Sequence, residues 1–210
     1  MEITFISDTH TKHYEANSDL PGGPIIVHCG DISGRGKPWE VSQFLNWFSE
    51  LPYTHKIMIA GNHDFLFENQ SVEIPEGIHY LQDSSVIIEG IKFYGTPWQP
   101  WFFDWAFNLP RGGNELKEKW SAIPEDTDIL ITHGPPKGIL DRVIRGAEHV
   151  GCELLRDRIF EIKPKIVSFG HIHEAYGQEE IDGIKFINAS LLDHRYEYTN
   201  KPIIINYEQA

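Results

Sequence analysis

Thiols are scarce in this chain of 210 residues, with cysteine at only two positions, Cys29 and Cys152. Two cysteines supply no disulfide framework, so the fold has to rest on a buried apolar core. A structural zinc site, closed and usually rich in thiolate, is disfavoured for the same reason. Cys29 lies in an apolar run and reads as a small core residue, and Cys152 opens a helix-like segment. Long apolar runs are also missing, and none approaches the ~20 residues a membrane-spanning helix needs. The start, Met1-Glu2-Ile3-Thr4-Phe5-Ile6, lacks the basic and extended apolar regions of a secretion signal and reads as a first strand. A cytoplasmic protein with no membrane partner is expected. Positive charge is in short supply, 18 Lys and Arg against 31 Asp and Glu, for a net charge of −13. Strong non-specific binding to a nucleic acid backbone, which needs clustered cations, is therefore not expected. Bound divalent ions can reverse such a field locally, so a phosphate group is still an acceptable ligand.

What is present is ordinary globular composition, 40% hydrophobic and 23% charged, with no repeat or linker. One domain over residues 1–210 is expected. Strand-like runs alternate with helix-like ones, the pattern of α/β layering. Runs at 3–7, 24–29, 56–60, 128–132 and 165–169 read as strands. Val41, Phe44, Leu45, Phe48 and Leu51 follow helical spacing after Pro38, and Leu155, Ile159 and Ile162 do so before Pro164. Hairpins are expected at Glu89-Gly90 and Asp182-Gly183, with a closing strand near 203–205.

Eleven histidines are the unusual feature, and many follow β-branched runs. Five strand-like runs end in polar clusters: Asp8-Thr9-His10, Gly30-Asp31, Gly61-Asn62-His63-Asp64, His133 and Gly170-His171-Ile172-His173. Ligands of open α/β sheets bind beyond the carboxyl ends of strands, so these clusters can meet at one rim. Asp8, His10, Asp31, Asn62, His133, His171 and His173 offer carboxylate, amide and imidazole donors without thiolate. That mixture suits Mn, Fe or Zn, and seven donors are enough for two divalent ions sharing a bridge. Residues two apart on extended chain point the same way, which would aim Asp8 and His10 at one ion and let His171 and His173 face one rim and reach two adjacent ions. His63 is read as a group facing substrate, with Asp64 holding its imidazole. His28 reads as a structural histidine, and His13 as a lesser candidate for substrate contact.

Taken in this order, the five motifs resemble the signature of calcineurin-like metallophosphoesterases. The stretches Gly95-Thr96-Pro97-Trp98-Gln99-Pro100, Trp105 to Gly112, Asp128 to Pro136 and Ile187-Asn188-Ala189-Ser190 look more narrowly like the metallophosphoesterase-domain-containing family, with this chain similar to its bacterial relatives. The resemblance implies a four-layer α/β sandwich, two mostly mixed central sheets flanked by helices. It implies one ion on Asp8, His10, Asp31 and His173, a second on Asp31, Asn62, His133 and His171, and His63 as the catalytic histidine. Some animal members lack the first histidine of the Gly-His-x-His motif, whereas His171 is kept here.

The expected activity is metal-dependent phosphoester hydrolysis, in which two ions clamp the ester and activate a water. Small phosphodiesters such as cyclic nucleotides are the expected substrates. A phosphomonoesterase, a protein phosphatase, or a weakly active metal-binding regulator are the alternatives. Trp98, Trp101, Phe102, Phe103, Trp105 and Phe107 read either as packing or as a wall for a nucleobase. Exposed aromatics there would favour a homodimer. Arg111 reads either as a phosphate contact or as a turn residue.

Overall fold

The computed structural model describes residues 1–144 and 146–208. In chain order, β1 (Glu2–Ile6), β2 (Gly23–His28), α1 (Pro38–Glu50), β3 (Tyr53–Met58), α2 (Phe65–Asn69) and β4 (Ile78–Tyr80) form the first half. The second half holds β5 (Ser84–Ile88), β6 (Ile91–Thr96), β7 (Gln99–Pro100), β8 (Asn108–Leu109), α3 (Asn114–Ser121), β9 (Ile129–Thr132), α4 (Glu153–Ile162), β10 (Ile166–Phe169), β11 (Gly177–Ile181), β12 (Ile184–Asn188) and β13 (Ile203–Asn206).

One sheet has the order β13-β1-β2-β3-β4, and the other β11-β12-β10-β9-β6-β5. Their central strands run parallel, and β13, β11 and β5 are added antiparallel, so both sheets are mixed. Side chains of a strand alternate between faces, and the sequence uses both. Ile3, Phe5, Ile25, Val27 and Ile57 pack between the sheets against Phe93, Ile129, Ile131 and Ile187. On the outer face of the first sheet, Ile26 and Met58 lie under Val41, Phe44 and Phe48 of α1. On the outer face of the second, Leu130, Val167 and Phe186 lie under Trp120 of α3 and Leu155 and Ile159 of α4. The result is four layers, helix–sheet–sheet–helix. Strands buried on both faces explain why β2, β9 and β10 read as largely apolar runs.

The boundaries follow local chemistry. Pro38 is the first residue of α1, where its missing N–H costs nothing. Cys152 caps α4, its Sγ accepting from Leu155 N, and Lys163 ends that helix in the left-handed region ahead of Pro164. Glu89 and Gly90 both take positive φ at the β5–β6 turn. Among the described residues no helix is long and apolar enough to cross a membrane.

Candidate metal centre

The parallel strands deliver their motifs to one edge. Asp8 and His10 follow β1, Asp31 follows β2, Asn62 and His63 follow β3, His133 follows β9, and His171 follows β10. The chain does not stay extended there. Asp8, His10, Asp31 and His171 have φ of 54°, 39°, 58° and 68°, in the left-handed region where such strain gathers at functional sites. The expected extended geometry of Asp8-x-His10 and His171-x-His173 is therefore replaced by turns. His173 begins a 3-10 turn, so the two histidines part: His173 joins Asp8 and His10, and His171 joins Asp31 and His133.

Two glycines make this crowding possible. A Cβ on Gly170 would lie 2.0 Å from Asp8 Oδ2, and one on Gly61 would lie 2.3 Å from Asp31 Oδ1.

All seven predicted ligand residues lie in this cluster. His173 Nε2 lies 3.3 Å from Asp8 Oδ1 and 3.3 Å from His10 Nε2. His133 Nε2 is 2.9 Å from Asn62 Oδ1 and 3.3 Å from Asp31 Oδ2. Asp31 Oδ2 is also 3.6 Å from His10 Nε2, so one carboxylate oxygen reaches both groups. It lies 4.0 Å from His63 Nε2.

The donor set can be tested against a cation. The Nδ1 of His10, His63, His133 and His173 faces the carbonyl oxygens of Ser33, Gly34, Cys29 and Asp193, respectively. A carbonyl only accepts, so each Nδ1 donates and, in a neutral ring, each Nε2 presents a lone pair. Those lone pairs meet carboxylate oxygens, an amide oxygen and one another. Such a convergence of acceptors needs positive charge between them, supplied by protons or by a metal ion, and divalent metal ions fit the donor set.

The charges agree. Burial alone would raise the Asp8 carboxyl, but the hydrogen bond and charge of His173, then His133 and His10, hold it well below its usual range. Burial likewise opposes ionisation of Asp31, and His133 and His63 overcome it. Burial would lower His133, but Asp31 outweighs it and pushes the imidazole up to about 9. His173 is raised to about 9 against the same burial by its bond to Asp8. Burial dominates at His10, which falls to about 4, and at His171, which falls to about 3.

Asp64 corrects an expectation. It does not touch the His63 ring, whose Nδ1 is taken by Gly34 O at 2.7 Å. Its oxygens accept from Ile32 N, Ser33 N, Ser33 Oγ and Gly61 N, stitching the loop after β2 to the loop after β3. Burial, then the Asp31 charge, raises Asp64 to about 6. The reason for the difference is local: three backbone N–H groups and a hydroxyl converge on one point, and a carboxylate satisfies them all.

His28 is structural as expected, with Nε2 to Thr9 Oγ1 at 3.1 Å and Nδ1 accepting from Gly30 N. His13 is outside the site, fully buried beside Tyr14, Phe44 and Trp47. Arg111 stands in a turn with its guanidinium on Val150 O, Gly151 O and Glu153, and it also borders the cavity beside the cluster.

The aromatic segment divides. Trp98 and Phe107 pack together, with Trp98 Nε1 donating to Asp83. Phe102 meets the His171 ring edge-on at 4.9 Å, and Trp105 stacks on His63. Trp101 and Phe103 are exposed. Phe102, Trp105, Gln99, Val143, Val150 and Tyr196 line a cavity of about 410 Å³ that opens onto Asp31, Asn62 and His171.

Three contributors were not singled out from sequence. Ser190 Oγ donates to Asp8 Oδ2 at 2.8 Å, Gly34 supplies the carbonyl for His63, and the Tyr196 ring lies 4.8 Å from His10 and 5.1 Å from His173. Ser190 stood inside a stretch noted only for its resemblance. Neither a lone tyrosine nor a backbone carbonyl carries any sequence signal.

Fold and donor set together define a metal-dependent hydrolase of phosphoric esters. Comparison with known proteins agrees. Residues 1–175 match the calcineurin-like phosphoesterase family. Metallophosphoesterase domain-containing protein 1 of Homo sapiens and of Mus musculus are each 41% identical over 228 residues, spanning 96% of this chain and 69% of theirs. A UPF0046 protein of Caenorhabditis elegans is 33% identical, over 96% of this chain and 58% of its own. The chain belongs to the calcineurin-like phosphoesterase family. Among solved structures, a phosphopantetheinyl hydrolase of Mycobacterium tuberculosis superposes with a TM-score of 0.59 at 13% identity, covering 92% of this chain and 90% of that one. The protein TT1561 of Thermus thermophilus gives 0.59 at 15%, covering 89% and 88%. At these identities they speak for the fold alone.

Proposed function

We propose that this protein hydrolyses small phosphodiesters, cyclic nucleotides among them, with two divalent transition ions, Mn first and Fe or Zn as substitutes. One ion would be held by Asp8, His10, Asp31 and His173, the other by Asp31, Asn62, His133 and His171. The observation that carries this is Asp31 Oδ2, a single oxygen 3.6 Å from His10 Nε2 and 3.3 Å from His133 Nε2.

When bound, the ions supply charge that polarises the phosphoryl group and lowers the pKa of a water for in-line attack. The remaining work falls to the chain. Ser190 and the His171 amide hold Asp8 in place. The carbonyl partners hold the imidazoles with Nε2 inward. His63 keeps its Nδ1–H on Gly34 O and presents Nε2, the atom that would pass a proton to the leaving oxygen. The cavity is the size of a small-molecule site, which supports a small organic ester over a protein.

The test uses metal-stripped protein with Mn added back, on bis(p-nitrophenyl) phosphate and on p-nitrophenyl phosphate, followed by cyclic nucleotides. Metal-dependent turnover favouring the diester is expected. A preference for the monoester would replace this reading with a phosphomonoesterase, and bound metal without turnover would replace it with a regulator.

A further inference from the structure

The ring of His63 is held by one hydrogen bond and by two neighbouring rings, with the His10 ring meeting it edge-on at a centroid distance of 4.5 Å. Nδ1 donates to Gly34 O at 2.7 Å, which anchors one atom and leaves the ring plane free to rock about that contact. The plane is set by Trp105, stacked on the imidazole with ring centroids 4.2 Å apart and planes 26° apart. Trp105 is in turn fixed. Its neighbour Ala106 donates its N–H to Asn62 O at 3.0 Å, which ties the tryptophan to the turn that carries His63. The Phe107 amide donates to Glu68 Oε1 at 2.7 Å. The Arg35 guanidinium lies 4.9 Å from the Trp105 ring, a cation–π contact from the loop that also supplies Gly34.

We infer that Trp105 is a positioning residue for His63, holding the imidazole plane so that Nε2 faces the leaving oxygen, and that it is not a platform for a nucleobase. The inference rests on the reading of His63 as the group that serves the leaving oxygen. The physical reason is that proton transfer depends on direction. A misplacement of ~1 Å at a catalytic group costs about 10²-fold, and a stacked indole restricts ring rocking where a single hydrogen bond does not. Such a residue lowers kcat only where the leaving group needs the proton.

The experiment compares methyl p-nitrophenyl phosphate, whose leaving group departs unaided, with methyl phenyl phosphate, whose leaving group does not. The Mn-loaded enzyme is used with His63→Ala, Trp105→Leu, Trp105→Phe and the double variant His63→Ala/Trp105→Leu. Trp105→Leu is expected to lose about 10- to 100-fold in kcat on the phenyl ester and about threefold or less on the nitrophenyl ester, with KM little changed. Trp105→Phe, which keeps a flat ring, is expected to recover most of the loss. The double variant is expected to be no worse than His63→Ala, because two residues acting as one unit are not additive. Equal losses on both esters, a loss carried by KM, or additivity with His63→Ala would overturn the inference. Should Trp105→Leu lack a cooperative melting transition, Trp105→Met takes its place. If His63→Ala itself loses both esters alike, the reading of His63 fails. If it shows the leaving-group dependence and Trp105→Leu does not, only the positioning role fails.

Discussion

His10 Nε2 lies 3.3 Å from His173 Nε2, although Nδ1 of each ring is already committed to a backbone carbonyl. With both rings neutral, two imidazole lone pairs would face each other at hydrogen-bond distance, with Asp8 Oδ1 3.3 Å from His173 Nε2. Such a contact is repulsive unless a cation or proton sits between the atoms, and that requirement links the site to stability. Removing divalent metal should lower the melting temperature, and Mn at about 100 times its Kd should restore ~2.7 kcal/mol. For a chain of this length that is about 5–10 °C. Calorimetry in chelator and in Mn measures it. An unchanged melting temperature would mean that the cluster binds no metal.

Asp31 Oδ2 lies between the two groups of donors, 3.6 Å from His10 Nε2 and 3.3 Å from His133 Nε2. Asp31→Asn keeps its shape but removes the charge shared by two sites. It should reduce bound metal below two ions per chain and cut kcat by at least about 100-fold. His63→Ala should keep both ions and still lose turnover. Metal content by mass spectrometry alongside kcat separates the two effects.

Gly170 packs its Cα against Asp8. Gly170→Ala would put a methyl 2.0 Å from Asp8 Oδ2 and 2.2 Å from Ser7 Oγ, neither of which can retreat from the core. The expected cost is about 1–3 kcal/mol, with loss of metal affinity as Asp8 shifts. Gly134→Ala meets only Gln99 at 3.5 Å or more, and should leave the melting temperature within about a degree or two. Thermal melts of the pair decide it.

Asp64 stabilises two loops. Asp64→Asn would turn an amide N–H₂ toward Ile32 N, Ser33 N or Gly61 N, each of which needs an acceptor. About 2–3 kcal/mol of stability should be lost. A variant that kept full stability but lost turnover would restore the role first expected from its place beside His63.

Two buried histidines that are not among the candidate ligands contribute to the acid limb of stability. Burial lowers His13 to about 4 and His28 to about 3 in the folded chain, against 6.5 for an unperturbed imidazole. Between about pH 6.5 and 4 these two positions therefore bind more protons in the unfolded chain than in the folded one. Their contribution to stability is full above about pH 6.5 and falls as pH drops through that window. His13→Phe, among Tyr14, Phe44 and Trp47, should flatten the fall. Urea unfolding of both proteins at pH 7 and pH 5 measures the difference in slope.

Most of the fold was legible because local signals agreed with one another. Apolar runs bounded by turn residues marked β1, β2, β3, β9 and β10, helical spacing marked α1 and α4, and Glu89-Gly90 and Asp182-Gly183 marked the hairpins. The short pieces were not legible. β4, α2, β7 and β8 are two to five residues long, too brief for a period to show. The eight residues of α3 bury only Leu116 and Trp120 against a largely polar remainder.

The seven candidate ligands were named from sequence because donor chemistry and strand ends are local properties. Asp64 was misread for the same reason: adjacency to His63 suggested contact, but a side chain's partner is chosen in three dimensions. The carboxylate turned toward the backbone of Ile32 and Ser33, 32 and 31 residues away along the chain, while a carbonyl took the imidazole.

The sequence by itself determined the kinds of donor and the strand ends that carry them, since both follow from residue type and short-range periodicity. Which donors pair was implied only through resemblance, and the tertiary structure supplies the geometry that pairs them. Left-handed turns at Asp8, His10, Asp31 and His171 send His171 and His173 to different clusters. Ser190, Gly34 and Trp105 reach the site from positions that no spacing rule connects to it. Backbone conformation and the packing of remote segments fix direction, and direction is what turns seven donors and a histidine into a site.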